Sequence, residues 1–253
     1  MPAIWALGDL HLSFGVPDKA MDPFGSQWVG HPEKIRLHWL ELVAPDDLIL
    51  IPGDISWAMH AEDAIPDLKW IDALPGTKVM LRGNHDYWWT SISKVEKILP
   101  PSIHVVQNNV FLWNDVAIGG ARLWDTPEYS FGRFIEYKAN SRENKLTKVD
   151  DPQEAEKIFE RELLRLEMSL KCFPADSHKR IAMTHYPPIG AELQASRASA
   201  LLEKYHVSLC VFGHLHNVVP GTLPFGEKGG VKYVLTSCDY LNFTPVQLRK
   251  SKS

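Results

Sequence analysis

The chain repeats one local arrangement five times: a short apolar run ends and at once delivers residues able to ligate a metal. "AIWAL" (3–7) leads into Gly8-Asp9-Leu10-His11, "LILIP" (48–52) into Gly53-Asp54, and "KVMLR" (78–82) into Gly83-Asn84-His85-Asp86. "RIAMT" (180–184) leads into His185, and "LCVF" (209–212) into Gly213-His214-Leu215-His216. Continuous apolar runs of this length predict strands buried on both faces, the habit of parallel sheets covered by helices. In such sheets the loops at the carboxyl ends of the strands converge on one crevice, and ligands collect there. One Gly-Asp turn or one strand-end histidine is ordinary turn chemistry. Five on one edge of one predicted sheet constrain the fold and the function together.

The segments between these runs fit the same scheme. "PEKIRLHWLELV" (32–43) spaces Ile35, Trp39 and Leu42 as one helix face, and "AEDAIPDLKWIDAL" (61–74) does so with Ala61, Ile65, Leu68 and Ile71 or Asp72. An irregularity is expected at Pro66. "IHVVQ", "NVFLW" and "DVAIGG" (103–120) have strand character with close turns, and either continue the sheet or open a second one. The strongest helix is 150–173, with Asp151 as cap, Pro152 in the first position and Glu154 completing a capping-box pattern. Its apolar face is Ala155, Ile158, Phe159, Leu163, Leu166, Leu170 and Phe173. A helix near 196–206 and a final strand, "VKYVLTS" (231–237), complete an α/β alternation. Residues 12–31 and 121–150 hold no sustained period and read as loop excursions. With no repeat, linker or low-complexity tract, 1–253 reads as a single domain.

Bulk properties narrow the function. A formal charge of −4 argues against an intrinsic nucleic-acid-binding patch, so an anionic substrate must be attracted locally. "MPAIWALGDLH" lacks the basic start and apolar stretch of a signal peptide, and no window approaches the roughly 18 apolar residues of a membrane span. Cys172, Cys210 and Cys238 are an odd, scattered set that suits a reducing cytoplasm, each expected as a buried small hydrophobe.

Of the eleven histidines, His11, His85, His185, His214 and His216 lie in the strand-end segments, and the other six read as structural. Imidazole-rich sites favour transition metals such as Mn, Fe, Zn or Co over Mg and Ca. The candidates are too many for one ion. Two divalent ions about 3.5–4 Å apart, sharing a carboxylate, would use them all. Only Asp9 and Asp54 are obvious anionic ligands, so the centre keeps net positive charge, acidifies a water and attracts phosphate.

The ordered set Asp9-x-His11, Gly53-Asp54, Gly83-Asn84-His85-Asp86, His185 and Gly213-His214-x-His216 resembles the signature of the calcineurin-like metallophosphoesterase superfamily. "DLHLSFG", "MDPFG", Trp28 and "H.EKI" resemble a bacterial branch of it, which implies no particular substrate. The resemblance implies two sheets packed as a sandwich and flanked by helices, with a dinuclear centre at one edge. Carried over by position, it places Asp9, His11, Asp54 and His216 on one ion. Asp54 as bridge, Asn84, His185 and His214 fall on the other. His85 would be a non-ligand that reaches the phosphate, and Asp86 the group that orients it. The implied activity is a phosphohydrolase acting through a metal-bridging hydroxide, with phosphodiesters slightly favoured over monoesters. The alternative is a non-catalytic metal-holding scaffold for a protein partner, against which the intact His85 and Asp86 speak.

The surroundings are less specific. Phe14, Phe24 and Trp28 in 12–31 are candidates for the substrate entrance, against the common role of aromatics as plugs of small cores. Trp88, Trp89 and Tyr186 neighbour ligands. Arg122 is a candidate bidentate donor to phosphate, against a surface ion pair. His31 either approaches the site or starts a helix.

Overall fold

A computed structural model of the chain describes residues 2–136, 151–177, 179–219, 221–222 and 225–249. The second half of the expected 121–150 excursion and His178, one of the six histidines read as structural, lie outside the described residues.

The apolar runs become strands because each must satisfy two hydrophobic layers at once. In the first sheet β1 (Ile4–Ala6), β2 (Leu48–Ile51), β3 (Thr77–Met80) and β4 (Ile103–Val105) run parallel, with β11 (Val246–Arg249) antiparallel beside β1. The second sheet has the order β5-β6-β7-β8-β10-β9. Its parallel strands are β6 (Val116–Ala121), β7 (Lys179–Thr184), β8 (Leu209–Phe212) and β10 (Val231–Leu235). Antiparallel β5 (Phe111–Trp113) and β9 (Glu227–Lys228) close its edges. The stretch 103–121 thus divides: "IHVVQ" ends the first sheet, while "NVFLW" and "DVAIGG" open the second. The five ligand-bearing loops come from two sheets, three from the first and two from the second, and not from one.

Period-two alternation sorts the side chains into layers. Ile4, Ala6, Leu48, Leu50, Val79 and Leu81 cluster with Val116, Ile118, Ile181, Met183 and Val211 between the sheets. On the far side of the first sheet, Trp5, Ile49, Ile51 and Met80 join Ile35 and Trp39 of α1 (His31–Leu42) and Leu68 and Ile71 of α2 (Ala61–Asp72). Outside the second sheet, Ala117, Ala182, Cys210 and Phe212 join Leu166 and Leu170 of α4 (Pro152–Lys171) and Ala198 and Leu202 of α5 (Arg197–Lys204). The short α3 (Ile92–Glu96) follows the third ligand loop.

Several details depart from expectation. α2 buries Ala64, Asp67, Leu68 and Ile71, leaves Ile65 half-buried, and runs on through Pro66. Its buried face includes a carboxylate, because Asp67 accepts the Phe14 N–H at 2.7 Å and the Ser56 hydroxyl. α4 takes its cap from Asp151, whose carboxylate accepts the Gln153 N–H at 2.9 Å, while Glu154 pairs with Lys157 and completes no box. Its buried face carries Glu162 and Ser169 in place of Ile158, and the Ser169 hydroxyl joins Asn109 to Gly120. "VKYVLTS" is not the last strand, since β11 follows it. Cys172 is exposed, and only Cys210 and Cys238 are buried. No described helix is long and apolar enough to cross a membrane.

At their carboxyl ends the two sheets are sewn together. Gly8 and Ser237 form a parallel bridge, with Gly8 N–H donating to Thr236 O at 2.7 Å and Cys238 N–H donating to Gly8 O at 3.1 Å. At the opposite end, buried Asp47 accepts Ala3 N–H (2.6 Å), Trp5 Nε1–H (2.9 Å) and Ala44 N–H (3.0 Å). Asp47→Ala orphans all three donors, and urea unfolding should register a loss of about 3 kcal/mol; Asp47→Asn, which keeps an acceptor, should lose less.

Candidate metal centre

Each candidate ligand is delivered by a tight turn directly after its strand. Asp9, His11, Asp54 and His214 have φ of +55°, +46°, +53° and +71°, the left-handed region that non-glycine residues rarely occupy. Such strain persists only where surrounding structure imposes it, and it concentrates at functional sites. The neighbouring glycines make room. A β-carbon on Gly83 would strike the Asp54 carboxylate and backbone, and one on Gly213 would strike the Asp9 carboxylate.

The turns bring two sets of acceptors together. Ligand atoms of Asp9, His11, Asp54 and His216 all lie within 4.8 Å of one another and could hold a metal ion. Beside them, Asn84 Oδ1 lies 2.6 Å from His185 Nε2 and 3.0 Å from His214 Nδ1. Asp54 Oδ2 faces both sets, 3.7 Å from His11 Nε2 and 3.4 Å from His185 Nε2. All seven residues expected from the sequence as metal ligands converge.

Hydrogen bonds on the far sides of the rings fix their direction. His185 Nδ1 faces Pro52 O at 3.0 Å, so it donates there and turns an Nε2 lone pair into the centre. His216 Nδ1 donates to Asp239 Oδ1 at 2.8 Å, and Asp239 also accepts Asn217 N–H. Orienting carboxylates and carbonyls of this kind are typical behind metal-bound histidines.

The charges fit a cation. Burial lifts Asp9 to about 6 and Asp54 well above the usual carboxylate range. Burial opposes ionisation of His216, but Asp239, Asp9 and Asp54 together outweigh it and lift its imidazole to about 9. The metal-free site therefore keeps a proton on His216, whose Nε2 stands 3.1 Å from His11 Nε2, a pair of nitrogens aimed at one point. Burial holds His214 down to about 3 and pushes His11 and His185 well below the ordinary range. Two acids that resist ionisation, three neutral imidazoles and one proton held among acceptors make a set that a divalent ion satisfies.

Asp86 does something other than orient His85. Its buried carboxylate accepts the N–H groups of Ile55 (2.9 Å), Ser56 (3.1 Å) and Gly83 (2.8 Å), and the Trp88 indole at 3.0 Å. It clamps the Asp54 turn to the Asn84 turn, with three of the donors on Oδ1 and the Gly83 N–H on Oδ2. His85 instead has its backbone N–H on Asp54 Oδ1 (2.8 Å) and its Nδ1 3.5 Å from the Tyr87 hydroxyl. Burial and then the charge on His216 hold His85 to about 4, so it is a neutral imidazole at pH 7.

Around the centre, the Trp57 ring stacks on His11 (5.0 Å between centroids), approaches His85 (4.5 Å) and carries Phe24 on its other side (6.1 Å). Trp28 is buried edge-on against His11 and His216. Phe14 turns away to Trp70. His31 starts α1 and also faces Leu10 O at 3.0 Å, between two ligands. Tyr186 lies against His214, while Trp88 and Trp89 are buried beneath the third loop. Arg122 pairs with buried Glu162 at 3.2 Å and lies over Trp124. Sequence reasoning missed Trp57, Tyr87 and Asp239. Asp239 follows β10 as the candidate ligands follow their strands, so the same rule could have found it.

Bound metal requires Asp9 and Asp54 ionised and His216 neutral, so the loaded state carries fewer protons than the free one. Affinity should therefore rise with pH up to about 9, by about tenfold per unit for each proton displaced: one from His216, one from Asp54, and below about 6 one from Asp9 as well. Competition with a fluorescent chelator across that range checks this. Asp86→Ala should lower Tm and metal content together, since about four donors to a buried charge lose their acceptor.

The calcineurin-like phosphoesterase family model matches residues 2–218. No curated protein matches the chain. Among solved structures, the phosphopantetheinyl hydrolase PptH of Mycobacterium tuberculosis is similar, with 16% identity and a TM-score of 0.51 over 96% of this chain and 91% of that one. The protein TT1561 of Thermus thermophilus is similar too, with 14% identity and a TM-score of 0.50 over 98% of each chain. At these identities the two likenesses speak for the fold alone. The family match, spanning most of the chain and every candidate ligand, is the stronger finding: this protein belongs to the calcineurin-like phosphoesterase family, whose chemistry is metal-dependent hydrolysis of phosphoesters.

Proposed function

We propose that the protein is a dinuclear metal-dependent phosphohydrolase, acting on phosphodiesters in preference to monoesters. The observation that carries this reading is the position of Asp54, whose Oδ2 faces the His11 and His185 nitrogens of both sets. Asp9, His11, Asp54 and His216 would hold one ion; Asp54, Asn84, His185 and His214 would hold the other. Nitrogen-rich sets favour Mn, Fe, Zn or Co. When bound, the ions supply Lewis acidity to the phosphoryl group and acidify the attacking water.

The chain's own residues do the rest. Asp86 fixes the spacing of the Asp54 and Asn84 turns, and so the spacing of the two sets. Asp239 and Pro52 O hold His216 and His185 in the ligating orientation. His85, outside both sets, offers a neutral imidazole N–H to a phosphoryl oxygen or to the departing oxygen as its charge grows. A neutral donor suits leaving groups that depart without full protonation. Trp57, backed by Phe24, puts an apolar wall against His11 and His85, which supports an ester bearing an organic substituent there. One domain over 1–253 carries the whole arrangement.

Metal-loaded protein should hydrolyse a chromogenic aryl phosphodiester. Chelation should abolish the activity, with Mn, Co or Zn restoring it better than Ca. His85→Ala should keep both ions by elemental analysis while turnover falls on the order of 10²-fold or more. Full activity of demonstrably metal-free protein would end the proposal, and loss of metal in the His85 variant would make that residue a ligand.

A further inference from the structure

The side of the centre carrying Asn84 and His185 is flanked by arginines that outnumber their acceptors. Arg82 immediately precedes Gly83-Asn84, and the backbone carbonyl of Arg122 accepts the N–H groups of His185 (3.1 Å) and Tyr186 (2.9 Å). Both arginines are thus built into the turns that set this side of the site. Arg82 lies within electrostatic reach of Arg122, Arg165, Glu162 and Asp86.

The local charge does not balance. Glu162 accepts from Arg122 at 3.2 Å and from Arg165 at 2.6 Å, and Arg161 lies 3.8 Å away. Asp86 is committed to four N–H donors on the neighbouring turns. Among the described residues neither carboxylate forms a bond to Arg82. Its Nε is buried without a hydrogen-bond partner, and no bond from Arg82 to any described residue is formed. A guanidinium cannot shed its proton to escape this environment, so a half-buried one with no partner among the described residues calls for an anion. Its planar fork of donors matches a phosphate.

We propose that Arg82 and Arg122 form an anion subsite beside the metal centre that takes a second phosphate group of the substrate. The substrate class is then a phosphoester that carries another phosphate away from the scissile bond, with the reacting phosphoryl group on the metals. This rests on the reading of the centre as a phosphoester site. The two flanks divide the work: Trp57 and Phe24 meet an apolar substituent beside His85, and the arginines meet the phosphate on the opposite side.

The test is calorimetry on the metal-loaded full chain with non-hydrolysable probes. Propylphosphonate reports the metal centre alone. Methylenebisphosphonate stands for a contiguous diphosphate, and ethane- to pentane-bisphosphonates stand for two separated phosphates. At least one bisphosphonate should bind about tenfold tighter than propylphosphonate, the worth of one charge-assisted pair. Arg82→Gln and Arg122→Gln should each remove most of that gain and leave propylphosphonate within about twofold, the size of a lost remote charge. Arg122→Lys, which keeps a cation for Glu162 but loses the fork, replaces Arg122→Gln if circular dichroism finds the latter unfolded. No advantage for any bisphosphonate overturns the subsite, as does an advantage that survives the arginine variants. Equal losses for propylphosphonate would also overturn it, by assigning the arginines to the reacting phosphoryl group. If propylphosphonate fails to bind while an arginine-dependent bisphosphonate binds, the metal-centre reading falls and the basic flank stands.

Discussion

Everything at this site depends on the alignment of two sheets. Asp9, His11, Asp54 and Asn84 hang from the first sheet, His185, His214 and His216 from the second. A shift of one sheet past the other would pull the sets apart, however well each turn is formed. Two devices prevent it. The aliphatic layer from Ile4 and Leu50 to Ile181 and Met183 resists sliding because interiors pack as densely as crystals. The Gly8–Ser237 bridge then fixes the register at the ligand edge itself, one residue before Asp9. Backbone pairing is directional where apolar packing is not, and so the final alignment rests on that short joint.

The electrostatics are arranged around a charge that the chain itself does not supply. Asp9 and Asp54 are buried where ionisation is costly, and His216 keeps a proton only because three carboxylates surround it. Left-handed backbone at four ligand positions adds conformational strain. Both costs are borne by the folded scaffold: Asp86 with its four N–H bonds, the collar of Trp28, Trp57 and Phe24, and the interleaved strands. The result is a preorganised set of acceptors, which a mobile set could become only by losing entropy on binding.

Much of this was legible in the sequence, for identifiable reasons. Strands buried on both faces have no polar side to confuse their pattern, so β1, β2, β3, β7 and β8 stood out, and their ligand residues are chemically distinctive. Helix faces were read less well where a polar residue is buried. Asp67 on α2 and Glu162 on α4 each break the apolar period because their carboxylates are satisfied by partners far along the chain. β11 was missed because a four-residue edge strand, half-exposed, has too little alternation to register. The direction of a side chain is not written in its spacing at all. "GNHD" put Asp86 beside His85, yet consecutive residues of a tight turn point apart, and the carboxylate went to the neighbouring loop. Trp57 was overlooked for the converse reason, since an aromatic after a ligand turn looks like any other core residue.

The position of Asp239 bears on where this catalytic unit ends. The family match stops at residue 218, just past His216, as though the last ligand completed the machinery. Asp239 lies 21 residues farther on, after β10, and the Gly8 bridge reaches the same stretch through Ser237. A fragment cut at the end of the match would keep all seven candidate ligands, yet lose the carboxylate that aims His216 and the strand that pins β1. The homologous block and the working unit are therefore different lengths of chain.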